Sequence, residues 1–158
     1  TPASTSDDFS STSDRPSSDT YRGPSGASEV EIQSLLNLEL GRPNIRGVID
    51  HHSYSEKILY PWGITYEPSE KDALYKEIGA KLNSALGGDY QLQQSSGLYP
   101  CSGESDDCHH ANGLISFTFE VGTSFQPSPS EIVPMREKVG KANMAFIDEI
   151  IARNSPAA

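Results

Sequence analysis

Apolar residues recur at helical spacing in three segments of the chain, and each segment begins at a serine. Helices are therefore predicted from Ser28, Ser69 and Ser130, because serine caps a helix N-terminus well. Ser28 and Glu31 also have the spacing of a capping box. The predicted apolar faces contain Ile32, Leu35, Leu36 and Leu40 in the first helix, Leu74, Ile78, Leu82 and Ala85 in the second, and Val139, Ala142, Phe146, Ile147, Ile150 and Ile151 in the third.

Runs of β-branched and aromatic residues between the helices predict strands. Residues 45–51 and 114–121 have the length and composition of buried strands, and residues 90–94 predict a shorter one. Residues 60–63, Tyr-Pro-Trp-Gly, indicate a loop. The alternation of helices and strands predicts an α/β fold with helices layered on a sheet. These strands are too few for a closed architecture, so we expect the sheet to need strands from outside this sequence.

Composition divides the chain into a polar N-terminal segment and one folded unit. Residues 1–26 are rich in Ser, Thr, Asp, Pro and Gly and predict an irregular surface segment, whereas residues 27–154 carry the periodic patterns and residues 155–158 form a tail. The sequence lacks an initiator Met and an apolar signal stretch, so we expect a processed product. A net charge of -10 argues against a nucleic-acid partner. The sequence has no apolar run of transmembrane length, so we expect no membrane partner.

The two cysteines, Cys101 and Cys108, lie in a stretch rich in Ser, Gly and Asp. A structural zinc site needs more Cys or His at short spacing, and a reactive thiol needs basic neighbours. A local disulfide is the simplest interpretation and would indicate an oxidising compartment. Pairing with another chain and two free thiols stay open as alternatives.

Two side chains at the ends of apolar strands and one in a loop are candidates for catalytic chemistry. His52 follows a predicted strand and Glu120 ends the Phe-Thr-Phe run, while Tyr99 lies in a glycine-containing loop between them. Taken singly, each has an ordinary interpretation: a histidine satisfied by hydrogen bonds, an exposed strand-end acid and a surface tyrosine. Together they supply a metal ligand, a general base and a phenol.

The order of motifs around these residues resembles the C-terminal half of a secreted zinc metallocarboxypeptidase. The resemblance rests on His-Ser-Tyr-Ser at 52–55, Leu-Tyr-Pro at 59–61, Gly-Leu-Tyr-Pro at 97–100 and Phe-Thr-Phe-Glu at 117–120. The family is the carboxypeptidase A/B-like one, including bacterial relatives. The resemblance implies a mixed β-sheet flanked by helices, and assigns residues 27–154 to the second half of the catalytic domain.

The resemblance implies a role for each candidate. His52 would be one of three protein ligands of a Zn²⁺ ion, and its neighbour His51 would point to the other side of the strand and be structural. Glu120 would polarise the zinc-bound water, take its proton and deliver that proton to the leaving amine. Tyr99 would swing over the terminal carboxylate of the substrate.

Residues after Tyr99 bear on specificity. Asp106 corresponds to the base of the pocket for the C-terminal side chain, where an aspartate implies a preference for Lys or Arg, and Asp107 to a neighbouring structural position. The alternative is that both are turn residues. His109 and His110 match no catalytic position and are predicted to be surface residues. Further substrate contacts implied by the resemblance are Ser53 and Tyr54 on the non-leaving side, Leu59, Gly63 and Thr118 in the pocket wall, and Phe125 at its rim.

Several residues that such an enzyme needs are absent from this sequence. The family's other two zinc ligands come from a His-x-x-Glu motif, and the substrate carboxylate is held by an adjacent Asn-Arg pair; neither motif occurs here. We therefore expect the N-terminal half of the same enzyme as a second chain, held non-covalently after cleavage in a Ser- and Asp-rich loop.

The leading prediction is a secreted exopeptidase acting on peptide or protein C-termini. One alternative is a relative that cleaves peptidoglycan peptides, in which the same Glu and His would serve. Another is a non-catalytic binding domain or fragment that has lost its metal site.

Overall fold

The computed structural model describes residues 12–155 and contains a four-stranded sheet with four α-helices. Residues 12–29 form turns and one isolated β-bridge between Ser13 and Tyr21. The elements are α1 (Val30–Leu40), β1 (Gly47–His52), β2 (Lys57–Tyr60), α2 (Asp72–Leu86), β3 (Gln91–Gln94), a short 3₁₀ turn (Ser95–Gly97), α3 (Ser105–Ala111), β4 (Ile115–Glu120) and α4 (Pro129–Asn154).

The sheet is mixed, with strand order β1-β4-β2-β3. β1 pairs with β4 in parallel, β2 with β3 in parallel, and β2 with β4 in antiparallel orientation. Parallel pairing aligns β1 and β4 residue by residue, from Gly47 opposite Ile115 to His52 opposite Glu120. The α/β class and the mixed sheet flanked by helices are therefore confirmed.

The hydrophobic core lies between one face of the sheet and helices α2 and α4. Phe117 and Phe119 alternate along β4 and are fully buried, so they define this face. Phe117 makes edge-to-face contacts with Tyr75 of α2 and Phe146 of α4, at ring-centroid distances of 5.3 and 6.0 Å. The alternating positions of β4 point to the opposite face, which is covered in part by α3.

None of the three predicted helices begins at the predicted serine: α1 and α2 begin after it, and α4 begins before it. α1 begins at Val30 rather than Ser28, whose hydroxyl bonds the Glu29 carboxylate, so the predicted capping box is wrong. α2 begins at Asp72, because Ser69 closes a turn by accepting a hydrogen bond from the Lys71 backbone N–H. The long helix α4 begins at Pro129, preceded by Ser128.

Two regular elements occupy stretches for which the sequence predicted neither a strand nor a helix. β2 occupies Lys57–Tyr60, directly before the Pro-Trp-Gly turn, and lies between β4 and β3 in the sheet. α3 occupies Ser105–Ala111 and contains Asp106 and Asp107, which are therefore not turn residues. The strands predicted at residues 45–51, 90–94 and 114–121 are confirmed with ends shifted by one or two residues.

The apolar face of α1 and the outer edge of β1 are uncovered in the described part of the chain. No residue of α1 is buried, and Leu35 and Leu38 are about half exposed. β1 pairs only with β4 among residues 12–155, so its outer edge is open there, and completion of the sheet by other strands stays a prediction. Within these residues no helix combines the length and apolarity that a membrane crossing requires.

Two glycines in helical contexts should respond oppositely to alanine. Gly87 caps α2 in the left-handed conformation (φ +112°), whereas Gly140 lies within α4 with open space where a Cβ would project. We expect Gly87→Ala to lower the free energy of unfolding by about 1–2 kcal/mol and Gly140→Ala to raise it by about 0.5–1 kcal/mol. Thermal unfolding of the two variants side by side measures this, and equal signs would contradict it.

Candidate active site

His52 and Glu120 lie side by side at the carboxyl ends of two adjacent parallel strands. They are register partners in the β1–β4 pair, and neighbouring residues in register point to the same face of a sheet. That face is opposite to Phe117 and Phe119 and therefore opposite to the core. Two residues far apart in the sequence thus present an imidazole and a carboxylate at one edge.

Asp50 contacts His52, and Ser105 in turn contacts Asp50. The Oδ2 atom of Asp50 lies 3.2 Å from Nε2 of His52 and accepts a hydrogen bond of 2.8 Å from the Ser105 hydroxyl at the start of α3. Burial raises the pKa of Asp50, but the hydrogen bonds from Ser105 and His52 outweigh it, so the pKa lies below its ordinary value. Asp50 is therefore an ionised partner of the histidine at neutral pH.

His51 faces the other side of β1, as strand alternation predicts. Its Nε2 lies 3.1 Å from Oδ1 of Asn143 in α4, and its ring packs edge-on against Phe119 at 5.4 Å. These contacts tie β1 to α4 on the core side of the sheet.

Tyr99 lies in the loop after the 3₁₀ turn with 54% of its surface exposed. Partial burial raises the pKa of its phenol, and nearby acidic groups, Glu104 and Glu120 among them, add to this effect. The phenol is therefore protonated at neutral pH and close enough to Glu120 to feel its charge.

Asp106 and Asp107 are buried at the start of α3 with their carboxylates hydrogen-bonded inside the protein. Asp106 accepts a 2.6 Å hydrogen bond from the Ser95 hydroxyl, and its backbone carbonyl accepts one from Ser116. Asp107 accepts from the backbone N–H groups of Gly63 and Ile64 at 2.7 and 3.0 Å. Burial raises the pKa of Asp106 to about 6, and the charge of Asp107 adds to it despite the Ser95 bond.

Glu104 completes a group of three carboxylates whose oxygens lie within 4.8 Å of one another. Its Oε2 atom is buried and accepts no hydrogen bond. This carboxylate packs so closely against Gly63 that a Cβ at residue 63 would collide with Oε2. Burial, followed by the charges of Asp106 and Asp107, raises the pKa of Glu104 to about 8, and a hydrogen bond from Cys101 offsets this only in part. A cation reaching Oε2 would relieve the desolvation and the repulsion.

The other predicted contact residues lie in three places. Ser53 and Tyr54 are exposed directly after β1, and the Tyr54 ring meets Phe125 edge-to-face at 4.7 Å. Leu59 and Thr118 are buried register partners in β2 and β4, on the same face as His52 and Glu120. Gly63 is buried in the turn beneath Glu104.

Cys101 and Cys108 are both reduced in the structure, so the predicted disulfide is not formed. Cys108 lies on α3, while Cys101 lies in the loop before it. Each thiol has a polar neighbour instead: Cys101 contacts the Ser102 carbonyl at 3.7 Å, and Cys108 lies 3.9 Å from the Asn112 side chain.

The prediction that His109 and His110 are surface residues is wrong. They are 5% and 3% exposed, because both lie on the face of α3 that packs inward. His110 bonds the Tyr75 hydroxyl at 3.0 Å and packs edge-on against Trp62. His109 bonds Glu39 of α1 at 2.6 Å, which connects that exposed helix to the rest of the fold.

The residues present fit a zinc ion in part. His52 is a ligand type that Zn²⁺ prefers, and the contact of its Nε2 with Asp50 leaves Nδ1 available. Zinc in a catalytic site takes three protein ligands. Across residues 12–155 the one trio of potential ligands is Glu104, Asp106 and Asp107, which does not include His52 and contains only carboxylates.

Sequence reasoning missed Asp50, Ser105 and Glu104. The spacing of Asp50 and His52, two residues apart on a predicted strand, was a usable signal, because such residues share a face. The helix around Ser105 also had signals: acids in its first turn, histidines in its last and Gly113 beyond it.

A family model described as zinc carboxypeptidase matches residues 4–142. Carboxypeptidase A1 of Rattus norvegicus is 34% identical over 149 residues, covering 88% of this chain and 36% of the relative. Zinc carboxypeptidase A 1 of Anopheles gambiae is 33% identical over 156 residues, covering 90% of this chain and 36% of the relative.

Solved structures show the same fold at lower identity. Thrombin activatable fibrinolysis inhibitor superposes with a TM-score of 0.83 at 24% identity, covering 90% of this chain and 40% of that one. Carboxypeptidase A from Helicoverpa armigera gives 0.79 at 20% identity, with 91% and 39% coverage. The chain spans about a third of the length of the curated relatives it matches. It belongs to the zinc carboxypeptidase family.

Proposed function

We propose that this chain forms the C-terminal part of a zinc-dependent metallocarboxypeptidase that hydrolyses the C-terminal peptide bond of its substrate. The observation that carries the proposal is the pairing of His52 with Glu120 at the same edge of the sheet. A metal ligand and a general base must lie next to each other to act on one water molecule. Membership of the zinc carboxypeptidase family supports the same reaction.

Each residue then has a chemical role. His52 holds the Zn²⁺ ion, which when bound acidifies water and polarises a carbonyl. Glu120 accepts the proton of the attacking water and passes it to the leaving amine, which a carboxylate at a half-buried strand end can do. The protonated phenol of Tyr99, exposed on its loop, donates a hydrogen bond to the substrate.

The exposed side chains after β1 bind the substrate on the non-leaving side in this proposal. Ser53 offers a hydroxyl and backbone groups, and the perpendicular rings of Tyr54 and Phe125 form an apolar wall. Leu59 and Thr118 lie beneath and shape the pocket wall from the sheet.

We propose that a further segment of the same enzyme supplies the remaining zinc ligands and covers β1 and α1, as a second chain. The unpaired edge of β1 and the exposed apolar side chains of α1 support this, as does the length of the relatives. Secretion stays a prediction, because the disulfide that supported it is not formed.

We propose further that the enzyme prefers C-terminal Lys or Arg. The support is electrostatic: three carboxylates lie within 4.8 Å of one another, and the buried Oε2 of Glu104 has no hydrogen bond. The Glu104 carboxyl, with a pKa of about 8, is mostly protonated at neutral pH in the free protein. A cationic side chain beside it would favour the ionised form and gain a charge-assisted hydrogen bond, whereas an apolar one would leave the buried oxygen unpaired. The sequence predicted Asp106 to be the recognising carboxylate. In this proposal Asp106 contributes negative charge to the cluster while its Oδ2 atom accepts the hydrogen bond from Ser95.

Hydrolysis of hippuryl-Arg and hippuryl-Phe by the complete enzyme tests the activity and the preference together. We expect release of the C-terminal residue, abolition by a zinc chelator, and kcat/KM at least about 10-fold higher for hippuryl-Arg, because a charged hydrogen bond contributes about 1.5–3 kcal/mol. A metal-independent reaction, or none on either substrate, would refute the proposed function.

Two variants separate the contributions to specificity. Asp106→Ile is expected to reverse the preference, and Glu104→Gln, which leaves the Ser95–Asp106 bond in place, to reduce it by about 10-fold. Glu67→Gln, in an exposed turn, is the matched control. A strong preference for hippuryl-Phe in the unmodified enzyme would refute the basic specificity alone.

A further inference from the structure

Ser105, Asp50 and His52 form a continuous hydrogen-bonded series that leads from α3 to the candidate metal ligand. The Ser105 hydroxyl donates to Oδ2 of Asp50 at 2.8 Å, and the same oxygen lies 3.2 Å from Nε2 of His52. Asp50 and His52 are two residues apart on β1, so their side chains emerge from the same face. The roles proposed for the site residues leave Asp50 without one.

The two nitrogens of a histidine ring are not equivalent once one of them is engaged. A carboxylate that accepts from one ring N–H fixes the tautomer and the ring orientation, and leaves the other nitrogen with its lone pair free for a metal. In His52 the engaged nitrogen is Nε2, so the free one is Nδ1. A carboxylate in this position thus makes the imidazole a better-oriented metal ligand.

We propose that Asp50 is a positioning residue that orients His52 so that Nδ1 binds zinc, and that Ser105 holds Asp50 in place. This inference rests on the proposed zinc-dependent function and adds a residue to its metal site. Ser105 lies between Glu104 and Asp106 in the chain. The series therefore links the acidic cluster proposed to recognise the substrate side chain to the histidine proposed to hold the metal.

If the Asp50–His52 contact served only the stability of the fold, removing it would destabilise the metal-free protein. The side chains of His52 and Asp50 are 52% and 41% exposed, and exposed ion pairs add little to folding stability. Removing the Asp50 carboxylate should therefore leave the metal-free protein nearly as stable as before. The loss should appear only when zinc binds, which gives the experiment its discriminating readout.

Zinc dissociation constants of the complete enzyme, measured by competition with a chromogenic chelator, test the proposal. We expect Asp50→Ala to weaken zinc binding by about 10–100-fold. Asp50→Asn should weaken it less, because the amide oxygen still accepts from Nε2–H, and Ser105→Ala should also weaken it less. Asp89→Ala, which removes one exposed carboxylate remote from this series, should stay within about twofold.

A second readout is the visible spectrum of the Co²⁺-substituted enzyme, which should change in Asp50→Ala and not in Asp89→Ala. Zinc affinity of Asp50→Ala within about twofold of the unmodified enzyme would overturn the inference. So would an equal loss in Asp89→Ala, or a fall in the Tm of the metal-free enzyme as large as that of the zinc form. If the unmodified complete enzyme binds no zinc, the proposed function itself is wrong.

Discussion

Glu120→Gln in the complete enzyme is expected to lower kcat by about 10³-fold, because an amide cannot accept the proton that a carboxylate takes from water. Glutamine has nearly the same shape as glutamate, so the strand end and its pairing with His52 should persist. KM should change little, since the lost interaction belongs to the transition state rather than to substrate binding. Steady-state kinetics on a hippuryl substrate, together with metal analysis, measures both effects.

Glu137→Gln on the exposed surface of α4 is the matched control and should keep full activity. Zinc content should stay at the unmodified level in both variants, because Glu120 is proposed as the base and not as a ligand. A kcat within about tenfold of the unmodified enzyme would show that another group takes the proton. Loss of zinc in Glu120→Gln would instead assign Glu120 to the metal.

Phe117→Ala is expected to destabilise the protein by about 3–5 kcal/mol, because truncating a buried Phe loses its transfer free energy and leaves a cavity. Phe117 is fully buried at the centre of β4, where its ring meets Tyr75 and Phe146. Both neighbours are held by separate helices, so the site cannot easily collapse. Chemical denaturation of the variant against the unmodified protein gives the difference.

Phe125→Ala serves as the comparison, since this ring is 74% exposed and its loss should change stability by no more than about 0.5 kcal/mol. Phe117→Leu should cost less than Phe117→Ala, as it keeps most of the apolar volume. Equal effects of the two alanine variants would mean that the α2–sheet–α4 layer is not the stabilising core.

Local sequence patterns predicted the elements whose burial follows a simple rule along the chain. β4 was predictable because both of its faces are buried and its composition is apolar. The long helix α4 was predictable from its periodicity, although its start was not, because several serines precede it. By contrast, the strand β2 was not predicted. It has only four residues and is followed by Pro-Trp-Gly, a composition that indicates a turn.

Buried polar residues were the least predictable part of the chain. Asp106 and His110 are polar by composition, yet they lie inside because partners distant in sequence satisfy them: Ser95 for Asp106, and Tyr75 for His110. Burying a polar group is tolerated only with such partners, and a sequence alone does not show which partners come together.

Short motifs and apolar periods are local properties, so the α/β class, the motif order and the candidates His52, Glu120 and Tyr99 could all be predicted from the sequence alone. The alignment of His52 with Glu120, the approach of Ser105 to Asp50 and the contact of Glu104 with Gly63 became visible only in the folded chain. Strand register and helix packing depend on contacts between segments far apart in the chain, because those contacts minimise the exposed apolar surface of the whole fold.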